Sequence, residues 1–351
     1  MKVNTANIQY LDTLRALALL GVITIHVTTP VLKMMYGVNM EYWWIGNIID
    51  SSVRFVIAIF LMLSGSTMVG KEYKLSEFYK KRMMRVLLPF LFWLVVYWVY
   101  RWYILTPKNQ PKEFHSIFQW AITLFVNEGV SKHFWYIYMI LVLYLFVPFL
   151  SRLIRKLRNS TILIVLLGWV LLNILFTNQM IHTSNWTYVL LKTKDYFLYS
   201  GFLVVGYYLK NISFQTKKYR LFNVSIFLLT VIFSAFATYF SSKNVHKLDM
   251  SFYGSLTINT IIQSVALYIL VKDSTINNRI LRWVTHTISD YSYGIYLVHI
   301  LIISILYNHG VFWTMAYPIV SLPAIIILTL ICSYMIIFVL RKIPMGKYIS
   351  G

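Results

Sequence analysis

Ten predominantly apolar runs follow one another along the chain, near residues 10–31, 44–69, 86–105, 133–151, 160–177, 196–209, 221–240, 252–271, 286–307 and 317–340. About 20 apolar residues make a helix that crosses roughly 30 Å of hydrocarbon at 1.5 Å per residue. Inside a bilayer the backbone must satisfy its own hydrogen bonds, so such runs are helices. The expectation is an all-α, polytopic membrane helical bundle of about ten transmembrane helices. The run at 196–209 is short and holds two glycines, and residues 116–126 read as a half-membrane or interfacial helix. Composition agrees: 59% of residues are hydrophobic and 12% charged, with a mean hydropathy of +0.66, far from the balance of a soluble domain.

The charged residues orient the bundle. With the N-terminus inside, 21 lysines and arginines fall in inner segments, eight in outer ones, and Arg15, Arg54 and Arg101 lie within spans. This bias places both termini in the cytoplasm. The net charge of +21 is therefore a topology signal that needs no nucleic-acid partner; membrane lipids are its expected surroundings. A single cysteine, Cys332, excludes an intrachain disulfide and a thiolate metal cluster. No linker, repeat or low-complexity tract divides the chain, which reads as one membrane domain over 1–351, without a soluble extracytoplasmic domain and without a cleavable signal peptide.

Polar groups inside spans carry the chemistry, because lipid tolerates them only where they face protein or a watery cavity. In "LRALALLGVITIH", Arg15 and His26 stand eleven residues apart, about 16 Å along a helix and close to one face. Asp12 is placed to pair with Arg15. Arg15 near the inner interface and His26 in the outer half also suit a purely structural role, by snorkelling and by interhelical hydrogen bonding. In the second span Asp50 and Arg54, four apart, suit an intrahelical pair, and Ser64-Gly65 permits close helix approach. Arg82 and Arg85 share one face of the helix entering the third span; they suit a phosphorylated ligand as well as an ordinary basic inner loop. His133 and Trp135 open the fourth span at the outer interface, and Tyr296 and His299 share a face of the ninth, with Asp290 closer to the inside.

No phosphate-cradling glycine loop, zinc-binding His-Glu-x-x-His pattern or Gly-x-Ser-x-Gly elbow occurs, and no metal is expected. Histidine is the candidate for acid and base work near neutral pH.

In order as well as content the motifs resemble the acyltransferase-3 family of integral-membrane acyltransferases. "YLDTLRALALLGVITIH" is similar to the family's first helix, with Arg15, ten residues, then His26. "SSVRFVIAIFLMLSG" resembles its second, with Ile59-Phe60 where Phe-Phe is more usual. "KKRMMRVLLPF" matches the Arg-x-x-Arg loop, "HFWYIYMILVLYLFVP" the His-x-Trp helix, and "SYGIYLVH" a late helix. Among stand-alone members the chain looks most like those that O-acetylate a surface-polysaccharide precursor. The resemblance implies transfer of an acyl group, usually acetyl from acetyl-CoA, to a hydroxyl of a cell-envelope glycan or its lipid-linked precursor in a bacterial plasma membrane. It implies His26 as the functional histidine and Arg15 as its motif partner, with Arg82 and Arg85, joined by Arg15, handling the acyl donor. Asp50, Arg54, His133, Trp135, Tyr296 and His299 are then expected to line or support the acceptor site. Partner proteins of glycan synthesis fit the same setting. An exporter of a polysaccharide or small molecule on the same fold is the alternative; the chain lacks the paired hydropathy halves of inverted-repeat transporters.

Overall fold

A computed structural model describes residues 5–105, 131–177, 185–212, 216–272 and 274–351, without the side chains of 5–8, 103–105, 176–177, 185–194 and 217. The expected segment 116–126 lies outside the described residues. Each of the ten apolar runs forms helix, the second with a break at 52–55 and the eighth only from Ile258 onward. In chain order the helices are α1 (Thr5–Met35), α2 (Met40–Ser51), α3 (Val56–Met68), α4 (Leu75–Leu105), α5 (Trp135–Ile154), α6 (Asn159–Thr177), α7 (Asn185–Lys210), α8 (Lys217–Asn244), α9 (Ile258–Lys272), α10 (Arg279–Asn308) and α11 (Pro318–Lys342). Among the described residues eight spans are long and apolar enough to cross a membrane, α2 and α3 counting as one. The other two expected spans are α6, whose apolar stretch Asn159–Leu175 is short, and α7, which carries several polar residues at its start.

The burial pattern is that of a bundle solvated by lipid. Ile164, Leu167 and Leu229 are all more than 60% exposed in mid-helix, where an aqueous protein would place polar groups and where hydrocarbon accepts leucine. α1 occupies the centre: Leu14, Ala18, Leu19, Ile23 and Val27 are fully buried, and it packs along α10, α2, α3 and α11.

Two seams set the bundle's geometry. Along α3 and α7 the backbones touch: a Cβ on Gly65 would lie 1.9 Å from the Leu203 carbonyl oxygen, and one on Gly206 would lie 2.0 Å from that of Met62. Small residues at such a crossing allow dispersion contacts between main chains. Ser66 adds hydrogen bonds to the carbonyls of Met62 at 2.7 Å and Gly206 at 2.9 Å. The second seam is the break between α2 and α3. Asp50 and Arg54 pair as expected, but across a turn at residues 52–55 and not along one continuous helix. The Ser51 carbonyl at the break receives Gln263 Nε2 from α9 at 2.9 Å, which satisfies a buried polar group there.

Beyond α11, residues 343–351 fold back under the bundle. Trp93 Nε1 donates to the Ile349 carbonyl at 3.1 Å and Arg341 to that of Gly351 at 3.0 Å. Gly294 of α10 leaves room for this segment, since a Cβ there would meet the Ser350 oxygen at 2.0 Å.

Candidate active site

Two cavities open from opposite ends of α1. The inner one, of about 390 Å³, is lined by Asp12 and Arg15 of α1, Arg82 and Arg85 of α4, Ser289 and Tyr296 of α10, and Tyr136 of α5. Arg15 is held rigidly: its Nη1 donates to Ser289 Oγ at 2.8 Å and lies 3.5 Å from Asp12 Oδ1. Ser289 in turn donates to Asp12 Oδ1 at 2.7 Å, and His286 Nδ1 sits 2.8 Å from Asp12 Oδ2. Arg82 and Arg85, nearly one turn apart on α4, have no ion pair among the described residues. The inner cavity therefore presents three guanidinium groups, one braced by a carboxylate and two available to an anion.

The outer cavity, of about 360 Å³, is lined by His26, His133, Tyr97, Tyr100, Arg101, Lys132 and two serines. His26 is half-buried and so has an edge toward this space. His133 is 3% exposed and His299 fully buried.

Between the cavities stands a wall of rings from three helices and the turn that opens α5. His299 lies 5.2 Å, centroid to centroid, from His26 on one side and 5.2 Å from His133 on the other. Tyr296 is 5.5 Å from His133 and 5.7 Å from Tyr136, and its hydroxyl donates to the His133 carbonyl. His299 Nδ1 is 2.6 Å from the Tyr296 carbonyl oxygen. A carbonyl only accepts, so Nδ1 carries hydrogen and a neutral His299 leaves its lone pair on Nε2. That Nε2 and the Nε2 of His133 are buried without a hydrogen-bond partner among the described residues. Buried unsatisfied nitrogens are rare outside functional sites and call for an explanation.

The structure thus gathers His26, His133, Tyr296 and His299 into one cluster, and Arg15, Arg82 and Arg85 into another. Tyr296, read from sequence as an outer-side residue, lines the inner cavity instead; as an α10 residue one turn below His299, it forms the inner surface of the wall. Asp50 and Arg54 line neither cavity. They sit in a closed polar network: Thr28 donates to Asp50 Oδ1 at 2.7 Å, and the Arg54 guanidinium lies 3.9 Å over the Tyr253 ring. Trp135 also lines neither cavity and packs on Tyr199 of α7, 5.9 Å away. Asp290 is taken up by Arg341 at 2.5 Å. Tyr97 and Tyr100 are not among the residues the sequence singles out, and Arg101 is read there only as a charge within a span. Their spacing of three and four along α4 is the signal that puts them on one face.

The family comparison agrees with this order of motifs. The model of the acyltransferase domain, the third acyltransferase family, matches residues 8–338. The chain belongs to this family. The match spans both cavities and the wall between them, and it makes the protein a membrane acyltransferase in general terms. Neither the curated proteins nor the solved structures contain a significant match to the chain.

Proposed function

We propose that this acyltransferase takes an acyl group, acetyl by preference, from acyl-CoA at the cytoplasmic side and passes it to a hydroxyl of a cell-envelope glycan or its lipid-linked precursor, in a bacterial plasma membrane. One observation carries the reading. A single helix presents Arg15 to a cavity of cations and His26 to a cavity of imidazoles and tyrosines, with only a wall of rings between. Acyl-CoA is here a substrate, polyanionic at one end and uncharged at the reactive end. Arg82, Arg85 and Arg15 suit the phosphates. The span from Arg15 to His26, about 16 Å of helix, suits the extended arm, on the order of 15–20 Å.

His26 is assigned as general base. Its neutral imidazole takes the acceptor's hydroxyl proton as the oxygen attacks the thioester carbonyl. The new C–O bond replaces the C–S bond, and the proton goes to the departing sulfur, giving a free thiol. His299, hydrogen-bonded at Nδ1 to the Tyr296 carbonyl, orients its ring against His26 and is a positioning residue. The test is release of free CoA by purified protein in nanodiscs, with His26→Ala and Arg85→Ala beside the wild type. Release that is lost in the first, and needs more donor in the second, supports the reading. Absence of donor binding in every form overturns it in favour of export.

A further inference from the structure

Two carboxylates face the inner cavity among the described residues, Asp12 and Asp290. In a space that suits phosphates each of them would repel the ligand, and each is engaged by an arginine. Arg15, itself in the lining, answers Asp12 at 3.5 Å. Asp290 is answered from behind: Arg341, in the last turn of α11, does not line the cavity. Its Nη1 donates to Asp290 Oδ2 at 2.5 Å and its Nη2 to the Asp290 carbonyl at 2.7 Å. With both carboxylates engaged, Arg82 and Arg85 remain in the lining without an ion pair among the described residues.

Arg341 is held firmly in this position. Its guanidinium lies 3.9 Å over the Tyr291 ring, and Nη2 also donates to the Gly351 carbonyl at 3.0 Å. That carbonyl belongs to the strap at 343–351, which reverses direction through Met345 in the left-handed region, φ 63°. The strap is well packed. Ser350 is fully buried, its backbone oxygen fills the space left by Gly294, and Trp93 of α4 donates to the Ile349 carbonyl. Gly351 itself lines the inner cavity. The strap therefore ties α4, which carries Arg82 and Arg85, to α10, which carries Asp290, and it steadies Arg341 between them. A cation in the last turn also suits the partial charge of a helix C-terminus, but Lys342 meets that need as well, with its Nζ 4.3 Å over the Phe338 ring.

We infer that Arg341 is a positioning residue for the donor: steadied by the strap, it cancels the charge of Asp290, so that Arg82 and Arg85 set the field an anionic ligand meets. The acyl-CoA reading supplies only the identity of that ligand, while the charge balance stands on the cavity's own residues. The Asp290 side chain is 56% exposed, so solvent limits its repulsion of a phosphate to a severalfold effect on affinity.

The experiment measures binding of CoA and of inorganic pyrophosphate, and CoA release from acetyl-CoA, in nanodiscs. The forms compared are the wild type, Arg341→Gln, Asp290→Asn, the double variant, Gly294→Ala and Lys342→Gln. Arg341→Gln should weaken CoA binding and raise the donor's KM by about fivefold, with kcat nearly unchanged and a deficit that shrinks in high salt. Adding Asp290→Asn should restore affinity to the wild-type level, a rescue that a merely structural loss would not show. Gly294→Ala, whose methyl group meets the Ser350 oxygen, should weaken binding in the same sense by loosening the strap. Lys342→Gln removes the same charge one residue further on and should leave affinity intact. Unchanged affinity in Arg341→Gln overturns the inference, as does a deficit that Asp290→Asn fails to restore; unchanged affinity in Gly294→Ala removes the strap from it. Should pyrophosphate follow this pattern while CoA binds no form, the charge balance stands and the acyl-CoA reading falls. Should neither bind the wild type, both fall.

Discussion

The inner and outer cavities are almost equal in size, about 390 and 360 Å³, and are built on opposite principles. The inner one is a charge holder. Arg15 is tied to Ser289 and Asp12, while Arg82 and Arg85 reach the same space from α4. The outer one gathers imidazoles with tyrosine hydroxyls, and two ring nitrogens of the wall have no hydrogen-bond partner among the described residues. Binding of phosphates asks for fixed positive charge and preorganised donors, whereas proton transfer asks for a neutral base with a free lone pair. Separating the two along one helix keeps Arg15, Arg82 and Arg85, the cations that suit the donor, out of the cavity that holds His26.

The sharpest way to break this division is His26→Ala. Loss of a positioned general base costs roughly 10²–10⁴-fold in turnover, and the donor's binding should hardly change, because His26 is absent from the inner cavity. Turnover and donor Kd measured on the same nanodisc sample check both halves. Retained turnover would remove His26 from the chemistry, and lost donor affinity would dissolve the separation.

Arg85→Ala is the complementary cut. A charge-assisted hydrogen bond contributes about 1.5–3 kcal/mol, so the donor's apparent KM should rise by roughly ten- to a hundredfold with kcat nearly unchanged. Arg82→Ala should behave alike, since both guanidinium groups line the same cavity without ion pairs among the described residues. A fall in kcat with KM constant would mean that the arginines act on the reacting atoms.

The ends of this arrangement are legible in the sequence and its middle is not. Arg15 and His26 can be read because an eleven-residue interval on a helix fixes both separation and face. Gly65 can be read because a small residue beside Ser64 in an apolar helix signals a close crossing, which α7 supplies. The wall cannot, since His26, His133 and His299 come from distant parts of the chain and no local pattern says that their rings will meet. Tyr97 was hidden among belt aromatics. The break at 52–55 was hidden too: "SSVRF" has no glycine or proline, and Gln263, more than 200 residues away, donates to the Ser51 carbonyl freed there.

Tyr296→Phe probes the wall itself and should have a smaller effect. Its hydroxyl donates to the His133 carbonyl, a bond worth about 0.5–1.5 kcal/mol. Thermal unfolding should show a loss of that size, and turnover should fall severalfold through displacement of His133. A loss comparable with that of His26→Ala would make the Tyr296 hydroxyl a participant in proton transfer, and the two cavities would then share their chemistry.

The smallest expected effect lies at the rim of the inner side, where Glu72 pairs with Arg155. The hydrogen bond from Arg155, and then its charge, hold the Glu72 carboxyl below the ordinary carboxylate range. A carboxylate with a depressed folded-state pKa stabilises the fold above its unfolded pKa and loses that contribution as pH falls through the lower value. The Glu72 side chain is 81% exposed, however, and solvent screens such a pair to near insignificance. Glu72→Gln should therefore match the wild type in thermal unfolding at neutral pH, and any small gap should close as the pH is taken below the carboxylate range. A large gap at neutral pH would instead mark this pair as a clasp that ties the end of α5 to the turn before α4.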